Sequence, residues 1–226
     1  MLTEPEIDPR REALDRALLE AARARLAAGG AERADADAIA LRPLLAQAGA
    51  AGAVLKAVLG RIDAAAGAPL TTAGGVAQLL AADRFGLSAQ PASGADAALK
   101  AVERGGRALI DLTHERPWWG RLLARPELRV VAALPDDAHA RPQALLVSLQ
   151  PSGPTGDDRS FWVTDSAWPD SRIVAALSQA GLAAEPLKTA GGLKLFMLAG
   201  YVQPQDGRLD GAPGSLTGVI GAAPVF

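Results

Sequence analysis

The sequence has no cysteine and only two histidines, His114 and His139. Disulfides and thiolate metal sites are therefore excluded, and a histidine-built metal centre is not expected; any metal would need carboxylates. No cofactor is expected either. No apolar run approaches the ~20 residues of a membrane span, and MLTEPEIDPRREALDR is charged where a secretory signal would be apolar, so a cytoplasmic protein without a membrane partner is expected. Charge of one sign is not gathered anywhere: the net charge of −2 comes from mixed signs along the chain, which gives no footprint for nucleic acid. Lysine, isoleucine and asparagine are scarce, whereas Ala, Gly, Arg and Pro abound, as in proteins of GC-rich genomes. Alanine fits either face of a helix, so every periodicity here is blurred. A chain of 226 residues still buries roughly 70% of its unfolded surface without staples.

What is present divides the chain in three. In REALDRALLEAARARLAAGG, Leu14, Leu18, Leu19, Ala22 and Leu26 recur near every 3.6 residues opposite Arg11, Arg16, Arg23 and Arg25, which predicts a helix from Pro9 stopped at Gly29-Gly30. A second helix follows Asp35, interrupted at Pro43, and a third runs from about Gly52 to Ala66 with Val54, Leu55, Val58, Leu59 and Ile62 as its stripe. Residues 1–68 thus read as a helical segment with more apolar face than it can bury alone, which must pack on another domain or on a second copy of itself; a homodimer formed through residues 9–66 is expected. From Pro69 strands and helices alternate: VAQLLAADRFG and ADAALKAVERGG are helices, while RALIDL, LRVVAAL and ALLVSL are buried strands, making 69–150 an α/β unit. Past the breaker-rich PSGPTGDD, residues 151–226 read as strand (FWVTD), helix (SRIVAALSQAG) and two strands (AAEPLKT, GLKLFMLAGYV), the βαββ half of a ferredoxin-like motif. The overall class is α/β.

The order of these pieces resembles bacterial proteins that join an all-helical chorismate mutase to a prephenate dehydratase-like region. The stretches that carry it are ALDRALLEAARARLAA, APLTTAGG, DRFG with ADAALKAVERGGRALIDL, PWWGRLLARPELRVVAALP, GDDRS and AGYVQPQDGRL. The resemblance implies a periplasmic-binding-like α/β unit, a regulatory-type last unit and a small aromatic-pathway acid or amino acid as partner. In the mutase family, cations grip the two carboxylates of chorismate and stabilise the pericyclic transition state. Asp15 and Arg25 fall on family positions, but the first Arg position falls on Asp8, with Arg10 and Arg11 displaced, and the Lys position falls near Ala36. The third helix offers Lys56, Arg61 and Asp63 off the expected line. The dehydratase Thr-Arg-Phe element is replaced by HARPQ, although Thr71, Thr72, Gly74 and Gly75 keep small polar character in the first turn. Neither the Gly-Ala-Leu-Val nor the Glu-Ser-Arg-Pro signature of the regulatory fold is present. The expectation is a non-catalytic relative that binds a metabolite of aromatic biosynthesis; the alternative is an active chorismate mutase with a rearranged site using Arg10 or Arg11, Arg25, Arg33 and Lys56.

Each candidate residue also has a structural reading. Arg25 is a surface residue or, by family register alone, an anion ligand. Trp118-Trp119 is a wedge packing a loop onto the sheet or the apolar wall of a pocket. His114 follows the strand RALIDL at its carboxyl end, where open α/β sheets collect ligands, and is a loop cap or a pocket residue. His139 reads as loop surface, and Asp157, Asp158 and Asp165 as turn residues. TTAGG has the composition of an anion cradle formed by backbone N–H groups before a helix. Thr71, Thr72, Ser93, Thr113 and His114 are expected to converge at one sheet edge, walled by Trp118 and Trp119, with Arg141 as the carboxylate partner. No Ser-His-Asp order with a nucleophile elbow occurs.

Overall fold

The computed structural model describes residues 8–27, 34–48 and 51–226. Three helices come first: α1 (Pro9–Ala27), α2 (Ala34–Ala48) and α3 (Ala51–Ala66). On α1, Arg11 pairs with Asp15 at 4.0 Å and Arg16 with Glu12 at 3.3 Å, exposed one-turn pairs of the kind worth about 0.3–0.5 kcal/mol. Between α2 and α3, Leu41, Leu55 and Leu59 are buried with Leu44, Leu45, Ile62 and Phe226 against them. That cluster explains why α2 continues through Pro43, where the sequence predicts an interruption. Leu41 before the proline and Leu44 and Leu45 after it are held by the same partners, which offsets a penalty of ~3 kcal/mol.

The rest of the chain builds one sheet of nine strands, flanked by α4 (Gly75–Phe85), α5 (Ala95–Glu103) and α6 (Asp170–Gln179). In chain order the strands are β1 (Leu70–Ala73), β2 (Gln90–Pro91), β3 (Arg107–Asp111), β4 (Arg129–Leu134), β5 (Ala144–Ser148), β6 (Asp158–Thr164), β7 (Ala184–Ala190), β8 (Leu193–Ala199) and β9 (Thr217–Pro224). Across the sheet they run β2-β1-β3-β5-β4-β9-β6-β8-β7. β1 is parallel to β2 and β3; β5 is antiparallel to β3 and β4. β3 and β5 are buried at every residue, as nearly continuous apolar runs must be when both faces are covered. β6 shows the two-residue alternation of a strand between two cores. Phe161 points into the cluster with Trp118, Trp119 and Leu195, and Trp162 into the opposite cluster with Ile173, Leu177 and Phe196.

β9 is absent from the sequence reading, and it is the strand that joins the two halves. It pairs parallel with β4 at Val130 and Gly221, and antiparallel with β6 from Asp158 to Thr164. Its residues, TGVIGAAP, contain two glycines and few side chains with strand preference, so the segment carries little periodic signal. Gly221 is required there: at φ +144 its missing Cβ is the space taken by the backbone of Val130.

The helical segment is fastened to the sheet by buried polar contacts. Arg107, with no exposed surface, donates to the carbonyls of Asp63 at 3.2 Å and Ala68 at 3.0 Å. Lys56 of α3 pairs with Asp136 and Asp137, both at 2.8 Å, and Arg84 of α4 lies 3.5 Å from Asp136. Arg42 of α2 donates to the carbonyls of Val225 at 2.8 Å and Thr155 at 2.6 Å. Gly60 of α3 lies against the carbonyl of Arg84, where a Cβ would overlap the oxygen. Gly60→Ala should therefore cost roughly 2 kcal/mol and lower the Tm by roughly 4–8 °C. Gly75→Ala, whose Cβ would meet nothing within 4 Å, should leave Tm unchanged or slightly raised in the same thermal-denaturation experiment.

Candidate functional site

Asp111 ends β3 and has no exposed surface. One carboxylate oxygen accepts from the Val76 N–H of the first turn of α4 at 3.2 Å. The other accepts from the Thr113 N–H at 3.2 Å and the Thr113 hydroxyl at 2.7 Å. The carboxylate fills the place where a side chain on Gly74 would begin, and Gly74 itself adopts φ +96. The glycine-rich turn TTAGG is thus an anion cradle, and the anion it holds belongs to the protein. The Asp111 carbonyl in turn accepts the indole N–H of Trp118 at 2.9 Å.

Beside this arrangement, at the carboxyl ends of β1 and β3, opens a cavity of about 880 Å³. Three segments and Leu193, at the start of β8, form it. The start of α5 contributes Ser93 to Ala97, the segment after β3 contributes His114 to Pro117, and the short 3-10 helix at Trp118–Ala124 contributes Trp118, Gly120 and Arg121. No side chain caps the α5 N-terminus, whose first residues line the cavity and whose first-turn amides have no intrahelical acceptor. Arg121 forms an ion pair with Asp96 on the rim. His114 is 29% exposed; its Nε2 lies 3.7 Å from the Asp111 carboxylate, is buried, and has no hydrogen-bond partner.

Of the residues expected to converge, Ser93, His114 and Trp118 line this cavity. Thr113 is beside it but spends its hydroxyl on Asp111. Thr72 is buried within β1, and its carbonyl accepts the Ala92 N–H at 2.8 Å. Thr71 is paired in register with Gln90 and Ala108, away from the lining. Trp119 lies behind the wall rather than on it: it is wholly buried, edge-on to Trp118 with ring centres 6.0 Å apart. Arg141 is not part of the lining. Its guanidinium donates to the carbonyls of Pro186 at 2.6 Å and Leu187 at 2.9 Å, where the β7–β8 register shifts and leaves these acceptors available. The side chain of Arg25, and all of Arg33, lie outside the described residues. The sequence reading missed Asp111, Asp96, Arg116 and Arg121. The one usable signal was a carboxylate closing the buried apolar run RALID, which only a set of local donors makes tolerable.

A second cavity, of about 730 Å³, lies between α2, α3 and α4. Its cations are committed: Lys56 and Arg84 to Asp136, with both also near the Phe226 ring, at 5.5 and 5.6 Å from its centre. Among the described residues no group of three or more metal-ligating side chains occurs, and no helix is long and apolar enough to cross a membrane.

No protein-family model matches the sequence, and among curated proteins none matches. Three solved structures are similar in outline. The chain resembles GqqA, described as a novel type of quorum quenching acylase, with 16% identity, TM-score 0.48, and coverage of 70% of this chain and 95% of that one. It also resembles the prephenate dehydratase of Arthrobacter aurescens solved with L-Phe, with 14% identity, TM-score 0.42 and coverage of 69% and 89%. The prephenate dehydratase of Staphylococcus aureus gives 11% identity, TM-score 0.43 and coverage of 69% and 99%.

Because three donors converge on the buried Asp111 carboxylate, Asp111→Ala should cost roughly 3 kcal/mol in urea denaturation. Asp111→Asn, which keeps one acceptor oxygen, should cost clearly less.

Proposed function

We propose that this chain is a non-catalytic relative of the chorismate mutase and prephenate dehydratase proteins, and that it binds a small aromatic carboxylate in the cavity beside Asp111. The single observation that carries the reading is the composition of that cavity. The α5 N-terminus, the His114 imidazole and the Arg116 guanidinium stand next to the Trp118 indole, with Arg121 paired to Asp96 and Glu115 adding a second carboxylate. A carboxylate suits the first group and an aromatic ring the second. At α4 the Val76 N–H of the first turn is instead taken by Asp111.

Catalysis of the mutase type would need several uncommitted cations converging on one pocket. Lys56 is instead tied to Asp136 and Asp137, and Arg11 is a surface residue paired with Asp15, which supports the non-catalytic reading over the active-mutase alternative. Purified protein should raise its Tm with at least one of chorismate, prephenate, phenylalanine, tyrosine or tryptophan, without consuming chorismate. His114→Ala and Arg121→Ala should each weaken that shift while changing the ligand-free Tm little. Consumption of chorismate at ordinary enzyme rates would favour the alternative.

We further propose that the helices pair with a second copy of the chain. Leu19 of α1, Ile39 of α2, and Val54 and Val58 of α3 are exposed large apolar side chains on the described helices, and Val54 and Val58 belong to the stripe expected to be covered. Light scattering at tens of micromolar should give twice the chain mass, and a Leu19→Arg, Val54→Arg double variant should give the monomer. A monomeric wild type would remove this part of the reading.

A further inference from the structure

His114 presents an unusual combination for a cavity wall. Its Nε2 is buried without a hydrogen-bond partner, and the nearest acceptor is the Asp111 carboxylate at 3.7 Å, about 0.8 Å beyond a charge-assisted hydrogen bond. Asp111 is buried, and its hydrogen-bond donors are neutral: two backbone N–H groups and one hydroxyl. The imidazole is thus the one group of variable charge set between a buried carboxylate on one side and the open cavity on the other.

The other charges that face this cavity cancel. Asp96 on α5 and Glu115 beside His114 are negative, Arg116 and Arg121 are positive, and the start of β8 contributes only the apolar Leu193. With Asp111 counted behind the wall, the site carries one excess negative charge when the imidazole is neutral, and none when it is protonated. A carboxylate entering the first state meets net repulsion. In the second state it finds an imidazolium already neutralised on its far side by Asp111, with the α5 amides completing its coordination.

Resting on the reading that this cavity is the ligand site, we propose that His114 receives its ligand as an imidazolium held between Asp111 and the ligand's carboxylate, so that binding takes up a proton and weakens as pH rises. The proton comes from solvent, and no covalent bond is made or broken. An isolated imidazole changes charge between about pH 5 and 8. Above that range each pH unit should weaken binding about tenfold, because only the protonated fraction binds.

The experiment is calorimetric titration of the full chain with 3-phenylpropionate, at about pH 6 and about pH 8.5, in buffers of contrasting ionisation enthalpy. Binding should be at least about tenfold tighter at the lower pH, with uptake approaching about one proton at the higher pH. His114→Gln should remove both the pH dependence and the uptake. Should that variant fold poorly, ¹⁵N spectra of the wild-type imidazoles give the same answer. The chain has two histidines, so His139→Gln assigns the signals, and the His114 titration midpoint should move upward on adding the probe. Equal affinity at both pH values with no proton uptake would overturn this inference and leave the ligand site standing. No binding at either pH would overturn the ligand site and this inference with it.

Discussion

A carboxylate with no access to water has to be met by donors, and the donors that meet Asp111 come from separate parts of the chain. Val76 belongs to the first turn of α4, Thr113 to the segment leaving β3, and Trp118, which donates to the Asp111 carbonyl, to the 3-10 helix beyond it. The turn after β1, the end of β3 and the wall of the cavity are therefore positioned by one residue. Gly74 follows from the same constraint, since its Cβ would occupy the carboxylate's place. His114, three residues on, is set at the mouth by the backbone that Thr113 and Trp118 hold down.

The same economy recurs where arginines replace missing secondary structure. Arg159 of β6 donates to the carbonyls of Asp137, Ala138 and Ala140, organising the loop between β4 and β5. Arg42 and Arg107 do so at the two edges where the helices meet the sheet. A guanidinium has five donors in a rigid fork, so one side chain satisfies several carbonyls that no strand or helix reaches. Residues 51–66 are for this reason continuous with the α/β body through Asp63, Lys56 and Gly60.

Much of the layout was legible because it depends on local pattern. The apolar stretches ALI and ALLV became the middle of β3 and most of β5; ADAALKAVE repeats its apolar residues helically and became α5, with Ala98, Leu99 and Val102 buried. The expected meeting of segments at one sheet edge holds for Ser93, His114 and Trp118, which line one cavity, and not for Thr71 or Thr72 of β1. What was not legible depends on partners distant in sequence. Arg141 looked available for a ligand until β7, 45 residues away, supplied carbonyls at its bulge. TTAGG looked like a cradle for an outside anion, and nothing in its own residues says that Asp111, 35 residues from Val76, fills it. Trp118 and Trp119 are adjacent and chemically identical, and both belong to the core, yet only Trp118 reaches the cavity lining.

β9 has a consequence for synthesis on the ribosome. It is inserted between β4 and β6, both of which precede it in the chain, and it shares hydrogen bonds with each. A nascent chain that has reached β8 therefore carries two facing strand edges with a strand-wide gap between them. Those edges are flanked by Val130, Phe161 and Trp162, and the gap is closed only when residues 217–224 arrive. Unpaired edges of that kind invite pairing with other chains. The glycine- and alanine-rich character of TGVIGAAP, which hid the strand in the sequence, also makes it a slim insert whose bulky side chains are confined to Val219 and Ile220, one on each face.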